Sequence, residues 1–129
     1  MARDASPKGP SQRQLRVGEL VRHALAEIFL IEDIEDEALA GITVTISEVR
    51  ASPDLRHATA YVAVLGSGDN AALANALNRH RRYLRGELAR RVELKYVPEL
   101  SFKPDESLDT SQRIEAILRS PAVARDLKG

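Results

Sequence analysis

Cysteine and tryptophan are both absent from the 129 residues. Without cysteine, disulfides, thiol nucleophiles and Cys-ligated zinc are excluded, and the composition is compatible with a reducing cytosol. Aromatics are few. Phe29, Tyr61, Tyr83, Tyr96 and Phe102 are all there are, so the core has to be built from Leu, Val, Ile and Ala. Net charge is lacking too, because 19 Lys and Arg balance 19 Asp and Glu. Long apolar runs are missing: the most apolar stretch, Ala24 to Ile31, is interrupted by Glu27 and is too short to span a bilayer. The opening M-A-R-D-A-S-P-K-G-P lacks the apolar stretch of a secretory signal. These absences predict a soluble cytoplasmic protein with no membrane segment.

Catalytic signatures are also missing. His23, His57 and His80 are scattered, with no H-E-x-x-H spacing, no P-loop and no G-x-S-x-G elbow. Gly66-Ser67-Gly68 lacks the third glycine and the lysine of a phosphate cradle and reads as a turn. Glu48 and Asp54 alone do not indicate acid/base chemistry. The expectation is a protein that is not an enzyme, with no cofactor, no metal and no small-molecule substrate. Glu32, Asp33, Glu35, Asp36 and Glu37 are clustered but lack the spacing and central glycine of a calcium loop. They read as a solvated connection whose charge, repelling phosphate, places it away from any RNA-binding surface.

What the chain does contain suits one α+β domain. Residues 1–11 hold Ser6, Pro7, Gly9, Pro10 and Ser11 with little apolar content, and read as a disordered tail. Leu15, Val17, Leu20, Val21, Ala24, Leu25 and Ile28 recur at helical spacing, with Ser11 as N-cap and His23 one turn from Glu19. Ile42, Val44, Ile46 and Val49 predict a strand, and Ala58, Ala60, Val62 and Val64 a second. Ser52-Pro53-Asp54 between them supplies turn chemistry for an antiparallel hairpin. Leu73, Ala76, Leu77, Leu84 and Leu88 mark a helical stripe broken by charge at Arg81. Periodicity alone allows either one long helix or two meeting near 78–82. Leu94, Tyr96, Leu100 and Phe102 suggest a third strand with Pro98 at a bulge or edge. Ile114, Ile117 and Leu118 predict a last helix over 107–120, with 121–129 a flexible tail.

The charge that is present is concentrated. Arg79, Arg81, Arg82, Arg85, Arg90, Arg91 and Lys95 are opposed between 79 and 95 only by Glu87 and Glu93, a net +5 in a neutral chain. A solvated helix face is the ordinary explanation of such charge. Here Glu87 can reach Arg90 or Arg91, but Arg81, Arg82 and Arg85 have no carboxylate close in sequence. A one-sided cluster repels itself and is best understood as neutralised by a polyanion. Arginine suits forked contacts to phosphate or stacking on bases. Tyr83 is a candidate stacking residue, although its place beside the stripe favours the core. Arg13 and Arg16, at the start of the first helix, extend the predicted RNA footprint.

Two stretches, S-E-V-R-A-S-P-D-L-R-H-A-T-A-Y-V and V-P-E-L-S-F-K-P-D-E-S-L-D-T-S-Q-R-I, together resemble the ribosome-binding factor A family of bacterial small-subunit assembly factors. In register are Ser52, Asp54, Leu55, Ala58, Tyr61 and Val62, then Pro98, Glu99, Leu100, Phe102, Asp105, Ser107 and Arg113. The resemblance runs from about Arg13 to Leu118. It implies a type II KH-like RNA-binding domain over 12–120, a three-stranded sheet packed against helices, ordered α-β-β-α-α-β with a kinked helix pair and a C-terminal helix. It implies binding, as a monomer, to the immature 30S subunit and 16S rRNA. It further implies support of late maturation including 5′-end processing of that RNA, and an association with growth in the cold. The family's Ala-x-Gly bend falls on His80-Arg81-Arg82, which adds positive charge there. Glu35-Asp36-Glu37 stands where many members have Asp-Pro-Arg, and Ser111 where glycine is common. Ser52, Asp54, Leu55 and Pro98 read as architecture. The competing reading is a protein–protein adaptor that uses its sheet and binds no RNA.

Overall fold

Residues 9–106 are described by the computed structural model. The predicted helix over 107–120 and the tail 121–129 lie outside the described residues, as do residues 1–8 of the predicted N-terminal tail.

Helix α1 (Gln12–Ile31) starts with a capping box. The Ser11 hydroxyl accepts from the Gln14 N–H at 3.1 Å, and the Gln14 side chain accepts from the Ser11 N–H at 2.8 Å, satisfying two donors that a helix start otherwise leaves orphaned. The Gln14 amide also donates to the Ala51 carbonyl at 3.0 Å, tying the helix to the sheet. Its buried face is Val17, Gly18, Val21, Ala24, Leu25 and Ile28. Leu15 and Leu20, expected on that face, are exposed. Gly18 sits so close to the sheet that an added Cβ would lie 2.5 Å from the Val49 carbonyl oxygen.

Strands β1 (Val44–Ala51) and β2 (His57–Val64) form the predicted antiparallel hairpin, with a register shift between Ile46 and Glu48. Ser52, Asp54 and Leu55 build its turn. The Ser52 hydroxyl lies 2.6 Å from the Asp54 carboxylate and accepts from the His57 N–H, while Asp54 accepts from the Arg56 N–H. Leu55 takes the left-handed backbone conformation at φ 63°, which the surrounding bonds stabilise. β2 ends at the Gly66 turn, and the buried Asn70 side chain accepts from the Val64 N–H at 2.9 Å.

The broken stripe resolves into two helices, α2 (Asn70–Arg79) and α3 (Arg81–Ala89), meeting at His80. His80 has φ −109° and ψ 17°, angles open to any residue, so the bend needs no glycine. Strand β3 (Glu99–Pro104) follows. It begins later than the Leu94 and Tyr96 alternation predicts, because 92–98 form a loop that ends in the fully buried Pro98, which has no N–H to give a ladder. β3 lies parallel to β2, with His57 opposite Glu99, and the sheet order is β1-β2-β3. The helices cover the sheet over an aliphatic core centred on Leu25, Ile28, Val62, Leu73, Leu77, Leu84 and Leu88, and Phe102 meets Phe29 at a 6.4 Å tilted ring contact.

Candidate nucleic-acid interface

The parallel pairing of β2 with β3 brings the starts of both strands to one end of the sheet, alongside the first turns of α3. There His57, Arg81, Arg82, Arg85, Glu99, Leu100 and Ser101 line a groove of about 440 Å³. Arg82 and Arg85 also line an adjoining hollow of about 540 Å³ with Lys95 and Tyr96. The two form one cationic surface, with Glu99 the lone carboxylate lining either among the described residues.

The predicted cations do not share one environment. Arg81 and Arg82 are exposed and have no carboxylate partner among the described residues. Arg85 donates to the Val97 carbonyl from Nε at 3.1 Å and Nη2 at 2.6 Å, with its guanidinium 5.5 Å from the Tyr96 ring centroid. That leaves its charge uncompensated while fixing its direction. Lys95 is exposed beside it. Arg13 and Arg16 are exposed on α1, at the end of the sheet where Ala51 pairs with Ala58, and line neither hollow.

Arg90 and Arg91 instead turn toward Glu87, at 3.3 Å and 2.9 Å. Arg91 also meets Glu27 and Glu32, and its side chain is only 19% exposed. These pairs hold the end of α3 against the end of α1. Hydrogen bonding to Glu87, outweighing burial, raises the pKa of Arg91.

Arg79 is likewise engaged, by the acidic connection. Asp36 accepts a fork from Arg79 at 3.1 to 3.2 Å and lies 2.9 Å from His80 Nε2. Glu32 accepts from the Tyr83 hydroxyl at 2.8 Å. The segment is therefore fastened to the helix pair and is not a free solvated link. Glu32 and Asp36 are matched by arginines distant in sequence, while Asp33, Glu35 and Glu37 are exposed, and no residue of 32–37 lines the cationic groove or its adjoining hollow. Tyr83, 44% exposed, belongs neither to the core nor to a free stacking position. Among the described residues no group of three or more His, Cys, Asp or Glu is placed to hold a metal ion, and no helix is long and apolar enough to cross a membrane.

The Arg79 guanidinium, then His80, then the Ala38 N–H hold the Asp36 carboxyl at a pKa of about 2. A folded value below the unfolded one, roughly 3.9 for Asp, means stabilisation that is full above about pH 4 and lost as pH falls toward 2. Carbon NMR of the Asp36 carboxyl is expected to titrate near 2. A midpoint near the ordinary value of roughly 3.9 would show that the tie does not form in solution.

Residues outside the basic segment complete the surface: His57, Ser101, Tyr96 and Arg56, whose guanidinium is 5.1 Å from the Tyr96 centroid. Tyr96 directly follows the basic run, and no local pattern marks the others, because strand pairing brings them in.

Comparison with known proteins agrees with this architecture. The family model described as Ribosome-binding factor A matches residues 13–118. The protein named Ribosome-binding factor A of Phenylobacterium zucineum is 55% identical over 121 residues, covering 94% of this chain and 83% of that one. The crystal structure of ribosome-binding factor A from Thermus thermophilus superposes with a TM-score of 0.60 at 30% identity, over 73% of this chain and 97% of that one. Thermus coordinates fitted into a cryo-EM map of a 30S complex give 0.54 at 31%, over 69% and 91%. With a matching fold, a relative above half identity over most of both chains and a family match over residues 13–118, the chain belongs to the ribosome-binding factor A family.

Proposed function

We propose that this protein is a small-subunit assembly factor that docks on the 30S subunit and 16S rRNA and acts without bond-making of its own. The observation that carries the reading is the groove at the α2–α3 bend, where Arg81 and Arg82 stand beside Arg85 without carboxylate partners among the described residues. Low-energy burial of charge ordinarily requires pairing, whereas exposed arginines beside polar groups offer forked donors to phosphate. The Thermus relative fitted into a 30S map supports the choice of partner.

Arg81, Arg82, Arg85 and Lys95 form the centre of the proposed contact. Arg13 and Arg16 extend it from α1, while Arg79, Arg90 and Arg91 contribute mainly field, since carboxylates already hold them. Docking favours whichever RNA conformation fits this surface better, and shifts the equilibrium only by that difference in affinity. Late maturation, including 5′-end processing of 16S rRNA, is the proposed consequence of that shift.

Co-sedimentation with purified 30S subunits over a salt series tests the reading. Affinity is expected to fall log-linearly with salt, with a slope of roughly 0.7 to 0.9 per phosphate contact. Salt-independent association would overturn it.

A further inference from the structure

The bend between α2 and α3 consists of one residue, and three neighbouring side chains fasten it. On one side the Asn78 amide makes a reciprocal pair with the Phe102 backbone, donating at 2.9 Å and accepting at 2.8 Å. On the other, Arg79 and His80 both reach Asp36. His80 occupies the N-cap position of α3 yet makes no side-chain cap bond to that helix; its ring goes to Asp36 instead. Asp36 is fixed in turn, because it caps the 3-10 turn Glu37–Leu39 by accepting from the Ala38 N–H at 3.0 Å. Although it lies in an exposed connection, its side chain is only 12% exposed.

From these contacts we propose that Asp36 is a positioning residue for RNA docking: by holding Arg79 and His80 it sets the direction of α3 and so of Arg81 and Arg82. The inference rests on the docking surface proposed above. It opposes simple electrostatics in sign. A carboxylate near a phosphate-binding surface weakens binding by repulsion, so neutralising it should tighten the complex if charge were all that mattered. If Asp36 sets geometry, neutralising it instead lets α3 turn about His80, and apparent affinity falls by the fraction of molecules left in the competent arrangement.

The test is Asp36→Asn in the full chain, assayed by co-sedimentation with 30S subunits well below the melting temperature. Asparagine retains an oxygen for the Ala38 N–H but not the charge that binds Arg79 and His80. Affinity is expected to drop about tenfold, corresponding to a competent fraction of roughly one tenth, with the salt slope unchanged because the competent molecules make the same phosphate contacts. A variant that is merely less stable but still folded at the assay temperature would keep the parental affinity. His80→Ala removes one arm and leaves the Arg79 fork; it should lose about threefold on the same reasoning, and it carries the test if Asp36→Asn does not fold. Unchanged or tighter binding by Asp36→Asn, or by His80→Ala in its place, overturns the proposal. Arg81→Glu with Arg82→Glu separates the two readings. If that variant loses binding while Asp36→Asn does not, only the positioning role fails; if it binds normally, both readings fall.

Discussion

Arg81→Glu combined with Arg82→Glu is expected to weaken 30S binding by roughly a hundredfold at moderate salt. Each lost charge-assisted bond is worth about 1.5 to 3 kcal/mol, and about 1.4 kcal/mol is a factor of ten, so two bonds at the lower figure already reach that size. Reversal adds repulsion to the loss. The salt slope should fall by about two contacts. Fold damage is a weak objection, because both side chains are exposed and neither makes an ion pair within the described residues; the melting curve should stay close to that of the parent. Normal co-migration of the variant with small subunits would remove the groove from consideration and revive an adaptor that works through its sheet.

The largest expected effect on stability is at Gly18. The atom it meets is the Val49 carbonyl oxygen, 2.5 Å from an added Cβ. Val49 belongs to β1, paired with Ala60, so the oxygen cannot rotate aside as a side-chain tip can. Gly18→Ala therefore lifts α1 from the sheet in spite of alanine's better helix propensity, which favours the substitution by about 1 kcal/mol. Overpacking of this kind costs about 1 to 3 kcal/mol and occasionally more. With the obstacle in backbone, we expect a net loss of about 2 kcal/mol in chemical denaturation. Melting should fall by roughly 4 °C per kcal/mol, where the ranges for smaller and larger domains meet. A change within about 0.5 kcal/mol, the usual range for innocuous surface substitutions, would show that the helix stands further from the strand than described.

Local pattern carried most of the fold. The capping box at Ser11, the two alternating strands and the Leu73 to Leu88 stripe all involve residues within a few positions of one another, so spacing reveals them. The same logic fails at Leu94 and Tyr96, which alternate like a strand but precede Pro98, and the ladder begins only after it. It also leaves open the choice between one helix and two, because the bend is held from outside the helices by Phe102 and Asp36. The candidate site was legible as a charge excess but not as a surface. Helical spacing already pairs Arg91 with Glu87 and leaves Arg81 without a near carboxylate, but it does not show that Arg91 meets two further carboxylates and Arg81 none among the described residues. Glu27, Glu32 and Asp36 are too far along the chain for helical spacing to pair them with these arginines. The acidic positions 35–37 and the bend 80–82, read separately as departures from the family pattern, touch through Asp36 and His80.

The parallel ladder between β2 and β3 also makes the groove depend on contacts between segments distant in sequence. Thr59 and Ser101, whose hydroxyls meet at 3.2 Å, are 42 residues apart, and no tight turn can join parallel neighbours. A fragment ending before Glu99 would keep Arg81, Arg82 and Arg85 but lack Glu99, Leu100 and Ser101 from the lining of their groove, and the Phe102 backbone that holds Asn78. Such a fragment has the arginines without the wall that shapes the space beside them.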